Sequence, residues 1–310
     1  MQVPDFNYDQ AFDRNLGWLT PEEQAKLRRS CVAIAGVGGA GGFQAQALAR
    51  LGIGSFKIAD PDHFELTNFN RQIGASCGTL GQSKTEVTRD MILSINPTAK
   101  IEMFPKGIDA GNIDAFLEGV DLVLDGIDFY ALEAKLLLFK ASREKGIAAI
   151  TSCPLGFGAS LMVFQSGGMS FEDYLDLRPE MTPEDRQFAL AFGLSPTPLC
   201  LRYMNNRASD LSSGRAASVV PGLMLVGALA ASEAVKCLTG KGKVLSAPHV
   251  YQTDLLTQKT VRKYYPGGMK HPLMKLKKGI ILKFFLPRKK AASETASPEA
   301  AEPRENALRP

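Results

Sequence analysis

Val32-Ala33-Ile34-Ala35-Gly36-Val37-Gly38-Gly39-Ala40-Gly41-Gly42 is an apolar run that breaks into glycines. Phe43-Gln44-Ala45-Gln46-Ala47-Leu48-Ala49-Arg50-Leu51 follows with the composition of a helix. Beyond it lie Phe56-Lys57-Ile58-Ala59-Asp60-Pro61-Asp62, then Leu66-Thr67-Asn68-Phe69-Asn70-Arg71-Gln72 and Gly81-Gln82-Ser83-Lys84. A buried strand, a glycine turn, a helix and a second strand ending in an acid make the first βαβ unit of a nucleotide-binding fold. Glycine tolerates positive φ and lets a phosphate reach the backbone. The first N–H groups of the helix lack intrahelical partners and suit an anion.

What this unit binds turns on the residues after the second strand. Gly36-x-Gly38-x-x-Gly41 fits the dinucleotide fingerprint, and Asp60 stands where a ribose-binding acid is expected. On that alone an NAD-dependent oxidoreductase is the first reading. A dehydrogenase has no use for Asn68, Arg71, Gln72 and Lys84 packed just past its ribose acid. A triphosphate site does: Arg offers a planar fork to phosphate oxygens, Lys a point charge, and amides neutral donors.

With Leu122-Val123-Leu124-Asp125-Gly126-Ile127-Asp128, these pieces resemble the ThiF/MoeB/HesA superfamily, adenylyltransferases related to ubiquitin-activating enzymes, over roughly residues 10–265. The resemblance implies an α/β fold: a Rossmann-like, doubly wound, mainly parallel sheet extended by antiparallel strands, with flanking helices. It implies ATP as substrate and Mg2+ as cofactor. Gly36, Gly38, Gly39 and Gly41 would cradle the nucleotide, Asp60 would hold the ribose next to Asp62, and Asn68, Arg71 and Gln72 would bind phosphates. Lys84 would neutralise the α-phosphate. By resemblance Asp128 is the magnesium ligand, although the Asn that usually follows it is Phe129 here. A helix-capping aspartate is the plainer reading. In homodimeric members an arginine near the N-terminus enters the site of the other protomer. Arg14 matches by position, while Asn15-Leu16-Gly17-Trp18 departs from the usual wording.

Several members also hold a structural zinc with two Cys-x-x-Cys pairs. This chain offers Gly167-Gly168-Met169-Ser170-Phe171 and Tyr264-Tyr265-Pro266-Gly267-Gly268-Met269 in their place, so no structural zinc is expected. The implied reaction is adenylation of a carboxylate, the C-terminus of a ubiquitin-like or sulfur-carrier protein or peptide. Three rivals stand beside it: adenylation of a small-molecule or modified-nucleoside carboxylate, a non-catalytic scaffold, and the oxidoreductase.

Composition bounds the rest. The 310 residues can bury a large core, and 45% hydrophobic with 22% charged residues is ordinary for a globular chain. A net charge of +4 with much of it near the C-terminus makes no case for a nucleic-acid partner. No apolar run reaches the roughly 18–20 residues of a membrane span, and Asp5, Asp9 and Asp13 do not read as a secretory leader. Five scattered cysteines without Cys-x-x-Cys suggest reduced thiols and a cytoplasmic setting.

The organisation reads as a lead-in and helix over 1–30, an adenylation domain over 31–268, a basic amphipathic segment over 269–290 and a disordered tail over 291–310. Within the domain, helices are expected over 86–95, from about 109, and over 131–144. Asp125 and Asp128 follow a short strand at 122–124. A strand at 147–150 leads into a small-residue loop over 151–160, with Cys153 near the acyl site. Residues 170–218 form a crossover segment whose one thiol, Cys200, is a candidate acyl acceptor with Arg202 as its activating cation. Free cysteine is more often a small buried hydrophobe. Residues 273–290 mix cations with large apolar groups, which suits either a helix packed on the body or peripheral membrane contact.

Overall fold

The computed structural model describes residues 6–205 and 216–285. α1 (Tyr8–Ala11) and α2 (Pro21–Arg29) lead into the sheet. α2 starts where the sequence says it should: Thr20 Oγ1 accepts from Glu23 N, Thr20 N donates to Glu23 Oε2, and Pro21 occupies the first turn. The lead-in is anchored, with Tyr8 Oη donating to the Gly52 carbonyl.

β1 (Cys31–Ala35), α3 (Gly39–Arg50), β2 (Ser55–Ala59), α4 (Lys84–Ile95) and β3 (Lys100–Phe104) form one half of the winding. α5 (Ile113–Leu117), β4 (Leu122–Asp125), α6 (Leu132–Glu144) and β5 (Ala148–Leu155) form the other. β6 (Gly158–Phe164), β7 (His249–Asp254) and β8 (Lys259–Tyr264) extend the sheet. Its order is β3-β2-β1-β4-β5-β6-β7-β8, parallel through β5 and antiparallel beyond. β1 and β4 are buried on both faces and therefore read as continuous apolar runs, whereas β7 alternates. The chain winds outward in opposite directions from β1 and β4. Right-handed crossovers then put α3 and α6 on opposite faces. The crevice at that reversal is where such sheets bind ligands.

α7 (Phe171–Leu175) and α8 (Pro183–Leu194) follow the sheet reversal, and α9 (Val220–Thr239) packs on α3, β5 and β6. The core gathers Val32, Ile34, Leu48, Ile58, Leu124 and Ala230. α9 corrects the reading that no segment is long and apolar enough to span a bilayer. Its 20 residues, mean hydropathy 1.4, pass by length and composition, but half of that window is buried within the fold. It is built as a core helix.

Other expectations change with the coordinates. Residues 151–160 are not a loop: β5 continues to Leu155 and pairs antiparallel with β6 across a two-residue turn. The helix expected from about 109 begins at Ile113. One compact unit runs to His271. Its last turn, Gly268–Lys270, packs on α7, the helix that the other Gly-Gly-Met segment leads into. A Cβ on Gly268 would stand 2.7 Å from the Tyr174 carbonyl oxygen, Met269 is buried, and Phe171 stacks on Phe139 at 4.2 Å. Where the resemblance puts thiolate pairs, this chain has aromatic packing and an exposed Lys270–Asp173 pair. The second unit, from Pro272, begins with α10 (Pro272–Phe285). Residues 286–290 of the basic segment and the tail lie outside the described residues.

Candidate active site

β1 ends in a loop that only glycine can make. Gly36 has φ +81°, and a Cβ there would stand 2.4 Å from the Gly126 oxygen. A Cβ on Gly41 would come within 1.8 Å of the Gly36 oxygen. The loop is therefore pressed against the start of its own helix and against the end of β4, and the first N–H groups of α3 have no intrahelical partner. Asp60 braces it: Oδ2 accepts from Val37 N at 2.8 Å and Oδ1 from Asp62 N at 3.0 Å. Burial pushes its pKa up, against the pull of Lys84 and these N–H donors. Asp60 is thus a clamp on the glycine loop, with lone pairs left for a ribose hydroxyl.

After β2 the chain doubles back. Phe64 N donates to the Gln82 oxygen and Lys84 N to the Asp62 oxygen, which puts Lys84 at the first position of α4. Its side chain is buried, 6% exposed, and Nζ donates to Asp62 Oδ2 at 2.8 Å. A cation at a helix N-terminus opposes the helix dipole, and Asp62, whose side chain is 64% exposed, offsets only part of that. Both face a polar cleft of about 350 Å³ with Pro61, His63, Glu65 and Asn68.

Asn68 Oδ1 caps the preceding turn by accepting from Glu65 N. Arg71 Nη1 donates to the Thr67 carbonyl and to Asn70 Oδ1, which fixes its fork. Gln72 is 8% exposed, and its buried Oε1 has no hydrogen-bond partner. That oxygen would lie 3.2 Å from a Cβ on Gly38. In this orientation the amide presents an acceptor to the glycine loop, which calls for a hydroxyl or amine. Contact with a phosphate oxygen, as the sequence suggested, requires the amide flipped.

The two acids after β4 part company. Asp125 is buried and fully engaged: Lys135 Nζ donates to both of its oxygens at 2.8 Å, Thr151 Oγ1 donates at 2.8 Å, and Ile127 N at 3.1 Å. Lys135 Nζ also holds the Ile127 carbonyl. Asp128 is exposed, with Oδ1 accepting from Tyr130 N. A hard cation that keeps its waters needs only one or two carboxylates beside substrate phosphates, and Asp128 fits that donor set. Among the described residues no cluster of three metal-ligating side chains occurs. Sequence reasoning missed Lys135. Its signal was a lysine on the α6 face that Leu132, Leu138 and Phe139 bury.

The thiols are poorly placed for nucleophilic work. Burial pushes the Cys153 pKa up to about 12. Cys200 is raised by burial and then by the charge of Asp254, so the expected activation by Arg202 is not what surrounds it. Cys153 shares a sheet face with Ser160 and Gln252, its register neighbours. The crossover segment covers that face, pinned by Thr197 N to Gln252 Oε1 at 2.9 Å and Tyr203 Oη to Asp254 Oδ2 at 2.5 Å. Gln187 Nε2 reaches the Phe129 carbonyl, tying α8 to the Asp128 loop. Arg14 lies exposed on the 3-10 turn Asp13–Asn15 and makes no hydrogen bond or ion pair among the described residues. Trp18 nearby is 84% exposed.

Comparison with known proteins agrees with this architecture. The ThiF family profile matches residues 12–273. The chain is 37% identical over 134 residues to the tRNA threonylcarbamoyladenosine dehydratase of Haemophilus influenzae, a match covering 43% of this chain and 51% of that protein. The chain thus spans about half the length of such dehydratase relatives. It is 30% identical over 237 residues to the molybdopterin-synthase adenylyltransferase of Escherichia coli, covering 76% of this chain and 83% of the relative. The crystal structure of Escherichia coli MccB with ATP superposes at a TM-score of 0.61 over 85% of this chain and 72% of that one, at 20% identity. At that identity the likeness speaks for the fold.

Proposed function

The chain belongs to the ThiF family, and from that premise we propose that it activates a carboxylate with ATP as the acyl adenylate. A carboxylate oxygen attacks the α-phosphorus, forming the acyl–O–P bond. The bond to the bridging oxygen breaks, and pyrophosphate leaves with that electron pair. Little covalent work falls to the protein, so its task is positioning and charge stabilisation. The glycine loop and the first turn of α3 face the phosphates, Asp60 holds loop and ribose, and Arg71 and Lys84 receive charge as it gathers on phosphate oxygens. Asp128 would hold Mg2+, which would supply charge neutralisation at the phosphates. Arg14 completes the site from the second protomer of a homodimer.

The observation that carries this reading is Lys84. A buried cation at a helix start, whose hydrogen-bonded partner Asp62 is mostly exposed at a polar cleft, can exchange that partner for a phosphate oxygen. The acyl substrate is the flexible C-terminus of a ubiquitin-like or sulfur-carrier protein. The similarity to a molybdopterin-synthase adenylyltransferase over most of both chains supports it.

A second reading has its own support in the 37% identity to a dehydratase of a modified tRNA nucleoside. Displacement of AMP by a nucleophile in the same molecule is a net dehydration and uses the same first step. ATP–pyrophosphate exchange tests both readings. Exchange that needs Mg2+ and a small carrier protein ending in Gly-Gly supports the first. AMP release that needs the modified nucleoside supports the second. No exchange with either substrate, together with no heat on titrating ATP, overturns adenylation.

A further inference from the structure

Residues 255–293 hold eleven lysines and arginines and not one aspartate or glutamate. Because the whole chain carries only +4, the rest of it is net negative. The cationic charge is thus concentrated in one stretch, and α10 lies within it. This helix carries Lys275, Lys277 and Lys278 together with an apolar stripe. Leu273, Leu276 and Ile280 follow the i, i+3, i+7 spacing of one helix face and are 67%, 63% and 62% exposed. Met274, off this stripe, is buried, but the stripe itself is turned to water and so is not spent on a protein core.

We propose that α10 is an interfacial anchor that docks this chain on an anionic lipid surface. Its 14 residues make a helix about 21 Å long, short of the roughly 30 Å hydrocarbon core, so it lies in the membrane plane. Leu273, Leu276 and Ile280 enter the acyl boundary, and the lysines meet the headgroups. A second copy is the poorer occupant, since two such helices face to face bring like charges together. The inference is independent of the adenylation reading, because no residue of the glycine loop or the Lys84 cleft takes part.

Flotation of the full-length protein with extruded vesicles tests it. Vesicles of equal parts phosphatidylcholine and phosphatidylglycerol carry the protein upward, while pure phosphatidylcholine does not. Raising NaCl to about 0.5 M weakens the binding. Replacing Lys275, Lys277 and Lys278 by glutamine lowers partitioning roughly fivefold per lysine, on the order of a hundredfold together. Leu276→Gln with Ile280→Gln abolishes flotation, while thermal unfolding of the variant stays that of the wild type. Wild-type protein that fails to float on anionic vesicles, or floats equally on neutral ones, overturns the proposal. So does a Leu276→Gln/Ile280→Gln protein that floats like wild type. If light scattering shows that these substitutions dissociate an oligomer which never bound lipid, a second copy covers the stripe and the membrane does not.

Discussion

Lys135→Met removes one partner of a buried ion pair and leaves the other in place. Asp125 is 3% exposed and Lys135 4%, so water does not replace the lost ammonium. Breaking such a pair from one side costs about 3–5 kcal/mol. Asp125 keeps its hydrogen bonds from Thr151 Oγ1 and Ile127 N, which places the expected loss near the lower end, about 3 kcal/mol. For a unit of this size each kcal/mol lowers Tm by about 2–4 °C, so the variant should melt roughly 6–12 °C below wild type. Urea denaturation followed by far-UV circular dichroism gives the free energy, and scanning calorimetry gives the Tm. Asp125→Leu combined with Lys135→Met should recover most of the loss, because replacing both partners by apolar groups leaves no uncompensated charge. The single substitution also releases the Ile127 carbonyl, which loosens the loop leading to Asp128. A single variant within about 1 kcal/mol of wild type, or a double variant as unstable as the single, would refute the reasoning.

Lys84→Ala removes a buried cation that pairs with Asp62 and favours the ionised form of Asp60, so Tm should fall while circular dichroism still shows a folded protein and ATP–pyrophosphate exchange disappears. Retained exchange would remove Lys84 from the site. Gly41→Ala drives a methyl group into the Gly36 carbonyl, and ATP binding by calorimetry should be lost along with at least 1–3 kcal/mol of stability, an order-of-magnitude figure for overpacking. Mixing Arg14→Ala with Lys84→Ala protein, each inactive alone, should restore roughly a quarter of wild-type exchange if two protomers share each site. No recovery after subunit exchange would count against that sharing. Iodoacetamide at pH 8 should label exposed Cys77 ahead of Cys153. Burial holds the Cys153 thiol protonated at that pH. Its labelling should rise about tenfold per pH unit while the fold holds, and peptide mapping would show whether it does.

The first βαβ unit was legible in the sequence because its determinants are local. Burial on both faces forces residues 32–35 to be apolar, the loop geometry demands Gly36 and Gly41, and Thr20-Pro21-x-Glu23 caps its own helix. The residue types past Asp60 likewise suggest a polyanion from the sequence, because an arginine, a lysine and amides stand together in one short stretch. The tertiary structure decided which of two neighbouring acids stays exposed. Asp125 and Asp128 are three positions apart, yet Lys135 and Thr151, from separate elements, take the first into the core. It also decided that residues 151–160 are strands, since β6 pairs there and small residues carry no strand signal of their own. The same holds for the thiols: burial and the carboxylate of Asp254 raise the pKa of Cys200 whatever Arg202 suggests by adjacency. Periodicity and turn chemistry are written in consecutive residues. The electrostatic surroundings of a side chain are set by groups tens of positions away, and only folding brings those together.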